Sequence, residues 1–222
     1  MRRVERLLIA CDFDGTITRR DTLHVIVETF GGPGVWGAIE PDLQSGRLTL
    51  EQAMERQFAE VRATPEQVLE AVLREAPVRA GFHELLAWVA ERGHRLVVLS
   101  SGFRTVIDAI LAEAGIEGLT IHSHEARFSA HGCELVWADR GERCERCGRP
   151  CKRHDLARYR RGERLVYVGD GISDRCAAKA ADLVFARDGL AEHLRAEGVP
   201  FVPFEDFFEV RAVLEPRAVR AA

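Results

Sequence analysis

Two aspartates lie two positions apart in the segment at residues 11–18, which reads CDFDGTIT. Asp12 and Asp14 follow a short apolar run at residues 7–10, the pattern of a buried parallel strand. Alternate residues of a strand point to the same side, so both carboxylates can serve one site. Two like charges buried together are unfavourable unless a cation lies between them or one carboxyl is protonated. With the hydroxyl and backbone N–H of Thr16, the segment predicts a site for a phosphate group and Mg²⁺.

Further polar residues follow two later apolar runs, and one isolated lysine lies between those runs. These residues are Ser100, Ser101 and Gly102 after 95–99, Asp170 and Asp174 after 165–168, and Lys152. Lysine is rare in this chain, because the 31 Lys and Arg residues include only Lys152 and Lys179 as lysines. Parallel strands present their carboxyl ends at one edge of a sheet, so we expect these residues to meet Asp12 and Asp14 there.

Residues 21–77 carry helical signals that no strand pattern interrupts. The helices expected in this segment are 21–30, 49–61 and a third that starts at Thr64 and Pro65. From residue 81 onward, helices alternate with apolar runs. The strands expected there are 95–99, 119–121, 165–168 and 183–186, with a β-hairpin at 126–129 and 133–137. The pattern predicts an α/β core at 1–20 and 78–222, with a helical cap inserted at 21–77.

The motif order resembles the haloacid-dehalogenase phosphatase superfamily, whose signature is DxDGT, Ser, Lys and GDxxxD. The matching residues here are Asp12 to Thr16, Ser100, Lys152, and Gly169 to Asp174. The resemblance implies a Rossmann-like parallel sheet, with the cap inserted where the phosphoserine-phosphatase branch carries it. It implies that Asp12 is the nucleophile of an aspartyl-phosphate mechanism and that Asp14 is the general acid and base. Mg²⁺ would be held by Asp12, the Asp14 carbonyl and Asp170, with Asp174 orienting a metal-bound water.

The resemblance also assigns residues to the phosphate and the substrate. Ser100, with Thr16, Ser101 and Gly102 beside it, would hold phosphate oxygens, and Lys152 would supply a compact positive charge. Ser101 stands where glycine is usual in the family. Asp21 either caps the first cap helix or reaches the substrate. Arg56, on a cap helix, either contacts the substrate, which we favour, or lies on a solvated face.

Cysteines are concentrated ahead of Lys152. Cys144, Cys147 and Cys151 have spacing suited to tetrahedral zinc, with Cys133, His131 or His154 as the candidate fourth ligand. Three reduced thiols in a loop are the alternative interpretation. The remaining two cysteines, Cys11 and Cys176, are expected to be buried small apolar residues.

Composition narrows the function classes. The net charge of −4 without a basic block argues against nucleic-acid binding, and no segment resembles a signal peptide or a membrane span. These features predict a cytoplasmic protein, and the resemblance implies a monomer or homodimer that acts on a small phosphorylated metabolite. Two other classes remain: a phosphoaccepting receiver module, disfavoured by the inserted cap and by Asp14, and a zinc-ribbon binding module, disfavoured by the lack of a basic face.

Segments outside the general motifs resemble one group within the superfamily, the methionine-salvage phosphatases that act on 2-hydroxy-3-keto-5-methylthiopentenyl-1-phosphate. Those segments are the Cys-rich approach to Lys152, residues 182–188 and the aromatic-acidic residues 204–209. The substrate that this implies is an enol phosphate with an apolar thioether tail. Phe30, Trp36, Met54 and Phe58 could line a pocket for the tail or form the core of the cap. Because Asp21 could attract an amine, phosphoserine, phosphocholine and phosphoethanolamine remain alternative substrates.

Overall fold

A seven-stranded sheet forms the centre of the protein in a computed structural model, which describes residues 6–138 and 142–215. The strands are β1 (Leu7–Cys11), β2 (Arg95–Phe103), β3 (Thr120–Ser129), β4 (Gly132–Val136), β5 (Arg164–Gly169), β6 (Leu183–Ala186) and β7 (Val202–Pro203). Their order across the sheet is β4-β3-β2-β1-β5-β6-β7. All neighbouring strands are parallel except β3 and β4, which form an antiparallel hairpin.

The helices pack on both faces of this sheet and in the segment that follows β1. They are α1 (Thr22–Phe30), α2 (Val35–Gln44), α3 (Leu50–Phe58), α4 (Pro65–Glu75), α5 (Phe82–Glu91), α6 (Arg104–Glu113), α7 (Lys152–Ala157), α8 (Arg175–Ala178), α9 (Asp188–Ala196) and α10 (Phe207–Leu214). A single 3₁₀ turn, Ile172–Asp174, precedes α8. In the part of the chain that the structure describes, no helix is long and apolar enough to span a membrane.

Helices α1 to α4 form the insertion between β1 and α5. The two connections to the core run side by side, because Thr18 and Val78 form an antiparallel bridge. Thr49 and Thr64 begin α3 and α4 with the capping boxes that their sequences indicate. The insertion also packs against the sheet, where the rings of Phe58 and Phe103 meet edge to face at 5.1 Å.

The predicted fold class is confirmed: a mostly parallel α/β sheet of Rossmann-like architecture with inserted helices and a small hairpin. The predicted elements were incomplete in one segment and too short in another. Helix α2 lies in a segment where no helix was predicted, and the strand predicted at 119–121 continues to Ser129 as part of the hairpin. The proposed division at residues 20 and 77 stays a prediction.

Strand order explains where a site can form. Strand β1 lies at the middle of the sheet, between β2 and β5. The chain builds the sheet outward from β1 on one side through β2 and β3, and then returns to the other side with β5. At such a reversal the loops leave in opposite directions, and a crevice opens at the carboxyl ends of the strands.

Candidate active site

The loop after β1 is held in a conformation that only glycine allows at its centre. Gly15 has a φ of +82°, and a Cβ there would lie 2.5 Å from Asp170 Oδ2. Arg79, which is 8% exposed, donates to the carbonyls of Gly15 at 2.7 Å, Thr16 at 2.9 Å and Thr18 at 3.0 Å. Sequence reasoning missed Arg79, which lies outside the family motifs. The loop backbone is therefore fixed, and it holds Asp12 and Asp14 in place.

Lys152 connects the loop after β1 to the segment after β5. Its Nζ lies 2.5 Å from Asp12 Oδ1 and 2.7 Å from Asp174 Oδ1, and the side chain is almost completely buried. Burial alone would lower the lysine pKa, but the charges of Asp12 and Asp174 outweigh it and raise the pKa above its ordinary value. Lys152 is therefore a fixed positive charge beside Asp12.

Asp174 has four hydrogen-bond donors around its two oxygens. Oδ1 accepts from Lys152 Nζ and from the hydroxyl of Tyr167 at 2.7 Å, and Oδ2 accepts from the backbone N–H groups of Asp170 and Gly171 at 3.0 Å. Although burial raises its pKa, Lys152 and these donors lower it below the usual value. Asp174 is thus an ionised anchor for Lys152. Tyr167 was not predicted, because an aromatic residue inside a buried strand carries no signal of a polar role.

Asp14 makes a separate set of contacts. Thr22 Oγ1 donates to its Oδ1, and Ser100 Oγ donates to its Oδ2 at 2.6 Å. Ser100 in turn accepts from the N–H of Gly102 at 2.7 Å, where any Cβ would lie 2.5 Å from Asp14 Oδ2. Burial raises the pKa of Asp14 more than these hydroxyls lower it, which favours a carboxyl that can carry a proton. Thr22 was missed, because it reads only as the first residue after a helix cap.

The carboxylates of Asp12, Asp170 and Asp174 form a cluster in which one oxygen of each lies within 4.8 Å of one oxygen of the others. The hydroxyl of Thr16 donates to Asp170 at 2.5 Å. Burial and the neighbouring acids raise the pKa of Asp12 well above its usual range, and the same causes raise that of Asp170 to about 7. Crowded carboxylates with hard oxygen atoms fit Mg²⁺, because a divalent cation removes the repulsion that raises these pKa values. The Asp14 carboxylate faces Thr22 and Ser100 instead, so only its backbone carbonyl is left for the role that the family implies.

A cavity of about 230 Å³ lies between the insertion and the sheet, with Asp12 and Asp14 in its wall. Its apolar walls are Leu23, Trp36, Leu43, Leu50, Met54 and Ile172. Trp36 and Met54 were among the predicted lining residues, whereas Phe30 and Phe58 do not line the described cavity. Asp21 caps α1 through the N–H groups of Leu23 and His24 and also lines the cavity, so both predicted roles remain compatible. Burial and Asp14 raise its pKa to about 7.

The predicted cap residue Arg56 does not line the described cavity, but the next residue, Gln57, does. Arg56 is exposed and is absent from the described lining, but Gln57 lines the cavity and is only 2% exposed. Gln57 Nε2 has no hydrogen-bond partner among the described residues. Asp188 also lines the cavity and has a φ of +43°, which is unusual for a residue other than glycine. Asp188 is the first residue of α9, and Arg187 is the N-cap residue of that helix.

The three cysteines ahead of Lys152 gather with a fourth that the sequence did not suggest. The sulfurs of Cys144, Cys147, Cys151 and Cys176 all lie within 4.8 Å of one another. The expectation that Cys176 is a buried small apolar residue is wrong, because it is half-buried and lies in the thiol cluster, whereas Cys11 is buried as expected. None of the predicted fourth ligands lies in this cluster; His154, for example, pairs with Glu142 at 2.7 Å.

Comparisons with known proteins agree with this geometry. Residues 9–179 match the family described as haloacid dehalogenase-like hydrolase. The 2-hydroxy-3-keto-5-methylthiopentenyl-1-phosphate phosphatase of Geobacillus kaustophilus is 33% identical over 95% of this chain and 96% of its own. The protein of the same name from Microcystis aeruginosa is 29% identical over 93% and 97%.

Solved structures support the fold. One described as a phospho-aspartyl intermediate analogue of phosphoserine phosphatase superposes with a TM-score of 0.72, at 19% identity, over 96% of this chain and all of the other. The names of the relatives do not mention zinc, so the predicted zinc stays a prediction. With a family match over most of its length and relatives of this similarity, the chain belongs to the haloacid dehalogenase-like hydrolases and is a phosphatase.

Proposed function

We propose that the protein is a Mg²⁺-dependent phosphomonoesterase that hydrolyses 2-hydroxy-3-keto-5-methylthiopentenyl-1-phosphate in methionine salvage. The observation that carries the proposal is the buried contact between Lys152 and Asp12, next to Asp14, at the wall of a cavity. The names of the relatives support the substrate. We expect a cytoplasmic monomer or homodimer whose cap, residues 21–77, covers the substrate.

Asp12 is the nucleophile in this proposal. Lys152 Nζ and the N–H of Phe13 both contact Oδ1, so we assign the attack to Oδ2. The Asp12–phosphorus bond forms, the ester bond to phosphorus breaks, and the leaving oxygen takes the proton of Asp14. Lys152 offsets the charge of the transferring phosphoryl group with a compact ammonium held on both sides by carboxylates.

Water completes the reaction from the same residues. Asp14, now ionised, takes a proton from water as the water oxygen attacks phosphorus; phosphate leaves, and the Asp12 carboxylate is restored. Ser100 keeps Asp14 oriented through its 2.6 Å contact. Mg²⁺, held by Asp12, Asp170 and the Asp14 carbonyl, would neutralise the charge that phosphate brings beside the carboxylates.

The charge of the cavity discriminates between substrates. Lys152 is the only cation among the described lining residues, and Asp12 and Asp174 already bind it. The α-carboxylate of phosphoserine would therefore lie among acids without a positive partner, which is unfavourable. The neutral thioether tail fits the walls formed by Trp36 and Met54, and the Gln57 amide can donate to the keto oxygen. The carboxylate of Asp21 favours a cationic amine, so phosphocholine is the second candidate substrate.

Replacement of Asp12 tests the reaction. Asp12→Asn should lower kcat/KM at least about 10³-fold, since it removes the nucleophile. Acid-quenched wild-type protein should carry one phosphoryl group on the peptide that contains Asp12. Asp108→Asn, an exposed change on α6, is the matched control and should leave both results unchanged. Activity in Asp12→Asn, or a phosphoryl group on another residue, would contradict the mechanism.

Competition between substrates tests the specificity. The methylthio enol phosphate should exceed phosphoserine and phosphocholine in kcat/KM by at least about tenfold, the value of one or two pocket contacts. Gln57→Leu should lower kcat/KM for the enol phosphate while the melting temperature holds or rises, because the variant removes a buried amide without a partner. Arg56→Leu, on the exposed face beside it, is the control. A preference for phosphoserine or phosphocholine would overturn the proposed substrate, while the proposed phosphatase reaction would stand.

A further inference from the structure

Four thiols that the phosphatase reaction does not use lie together beside the active site. Cys144 and Cys147 lie in the loop that follows the hairpin, Cys151 immediately precedes α7, and Cys176 lies in α8. Cys144 is buried, Cys147 is exposed, and the other two are half-buried. Two separate parts of the chain thus bring thiols to one point.

The distances between the sulfurs have the values of a metal site. Sulfur atoms bound to tetrahedral zinc at about 2.3 Å lie about 3.8 Å from one another. Here Cys144 Sγ lies 3.9 Å from Cys176 Sγ, and Cys147 Sγ lies 3.6 Å from Cys151 Sγ. Disulfide sulfurs lie about 2.05 Å apart, and these cysteines are free. The arrangement therefore matches four thiolates around one ion better than two disulfides.

The loop between the first two thiols is shaped to present them on one side. Gly148 N–H donates to the Cys144 carbonyl at 2.8 Å, and Cys144 N–H donates to the Arg149 carbonyl at 2.9 Å. Gly148 has a φ of +69°, which closes this tight turn without a side-chain clash. The turn keeps the sulfurs of Cys144 and Cys147 within 4.8 Å of each other.

We propose that Cys144, Cys147, Cys151 and Cys176 bind one Zn²⁺ as a tetrathiolate, which fastens the loop before α7 to α8. Four thiolates in a tetrahedral arrangement select zinc among the common divalent ions. The proposal differs from the sequence prediction in its fourth ligand, because Cys176 comes from the other side of the site.

The zinc position has a consequence for Lys152. Cys151 is the residue before Lys152, and Cys176 lies two residues after Asp174, the anchor of that lysine. The ion would therefore tie together the two segments that hold Lys152 at 2.5 Å from Asp12. This makes Cys151 and Cys176 positioning residues. The zinc site rests on the thiol geometry alone, whereas its effect on turnover rests on the proposed function.

Metal analysis of the full chain, purified without chelators, tests the site. Wild-type protein should contain about one zinc per chain, since the four thiols form one closed site. Cys176→Ser should bind zinc more than about 10²-fold more weakly, because loss of an outer-shell partner alone costs ~10–100-fold. Cys133→Ser, a half-buried cysteine of β4 outside the cluster, is the matched control and should keep one zinc. Absence of zinc, iron in its place, or full zinc affinity in Cys176→Ser would overturn the proposal.

A measurement on the wild-type protein covers the case in which Cys176→Ser does not fold. In native protein, the four cysteines of the cluster should become open to alkylation only after a zinc chelator is added, whereas the buried Cys11 should stay protected. A mercurial thiol reagent should release one zinc per chain. Mass spectrometry that finds a Cys147–Cys151 disulfide in this protein would overturn the assignment.

The kinetic effect separates this proposal from the proposed function. Zinc removal at saturating Mg²⁺ should lower kcat and leave KM within about twofold, because Lys152 acts on the transferring group rather than on the tail. If the protein binds zinc but hydrolyses no phosphomonoester, the proposed function fails and the zinc site stands. If it is an active phosphatase without zinc, the zinc proposal alone fails.

Discussion

Lys152 is the residue that joins two acids of the site, Asp12 and Asp174, into one geometry. Two carboxylates lie at 2.5 Å and 2.7 Å from one nitrogen, in a position that is 3% exposed. A single tetrahedral ammonium can contact both oxygens there, whereas the planar fork of arginine needs more space and a different direction. The chain uses arginine almost everywhere else, which fits a specific requirement for lysine at this position.

Substitution of Lys152 separates its charge from its shape. Lys152→Met should lower kcat/KM by about 10²–10³-fold and destabilise the protein by about 3–5 kcal/mol, because it leaves buried carboxylates without a partner. Lys152→Arg should keep more of the stability but still lose most of the activity. Thermal unfolding and initial rates measure the two effects, with Lys179→Arg as the control at an exposed ion pair. Equal activity of Lys152→Arg and wild type would contradict the geometric requirement.

The sequence identifies individual site residues by their type and spacing. Asp12, Asp14, Ser100, Lys152, Asp170 and Asp174 fall into motifs and come together as expected. No motif marks Gln57, Thr22 or Tyr167. An amide in a helix, a threonine after a cap and a tyrosine in a strand also occur for ordinary structural reasons. Thr22 and Tyr167 lie only eight and seven residues from their partners Asp14 and Asp174, but the contacts depend on how the chain folds. Arg56 is the opposite case: it was favoured as a substrate contact, but it is exposed and outside the described cavity lining, which Gln57 joins instead.

The loop after β1 is the element on which the site depends. Its backbone is fixed by the positive φ of Gly15 and by Arg79, whose guanidinium donates hydrogen bonds to three carbonyls of the loop. Since these carbonyls would otherwise be buried without donors, the loop and Arg79 stabilise each other. The loop cannot move away from Asp170 to accommodate a larger residue.

Replacement of Gly15 tests that rigidity. Gly15→Ala should lower both the melting temperature and kcat/KM, because the new Cβ meets Asp170 Oδ2 at 2.5 Å in addition to the strain of a positive φ. Gly115→Ala is the matched control: its φ of +68° gives the same backbone strain of ~1–2 kcal/mol, but nothing lies within 4 Å of its Cβ. Thermal unfolding and kinetics of both variants measure the difference. If Gly115→Ala lost as much kcat/KM as Gly15→Ala, the contact with Asp170 would not be the cause.

Elements with local signals were predicted, and those without such signals were not. Caps and apolar periodicity mark α1, α3, α4 and the central strands. Helix α2 has Gly34 at its N-cap, which offers no side chain for capping, and it contains Pro41, so local preferences argue against it. Its packing against α1 and α3 overrides those preferences. The thiol cluster shows the same limit, because the approach of Cys176 depends on α8 meeting the loop before α7.

The fold as a whole concentrates negative charge at one edge of the sheet. Lys152 offsets part of this charge, but burial and neighbouring acids still raise the pKa of Asp170 to about 7. The raised pKa means that the folded protein holds a proton that the unfolded chain, with an ordinary pKa near 3.9, has already released. Between about pH 4 and pH 7 this group therefore contributes stability that decreases as the pH rises, in protein without metal.

Mg²⁺ should reverse this pH dependence of stability, because Asp170 must release its proton to bind the ion. Binding to Asp170 requires its ionised form, so below about pH 7 each unit decrease in pH should weaken Mg²⁺ affinity by up to ~tenfold. Because a ligand of the folded state stabilises it by RT ln(1 + [L]/Kd), tighter binding at higher pH should make the Mg²⁺-induced rise in melting temperature larger at pH 8 than at pH 6. Asp170→Asn should lose most of this rise at both pH values, whereas the exposed Asp108→Asn should keep it. Thermal unfolding at fixed Mg²⁺ decides the matter: an equal rise at both pH values would show that no carboxyl of raised pKa binds the ion, and a larger rise at pH 6 would reverse the sign of the coupling.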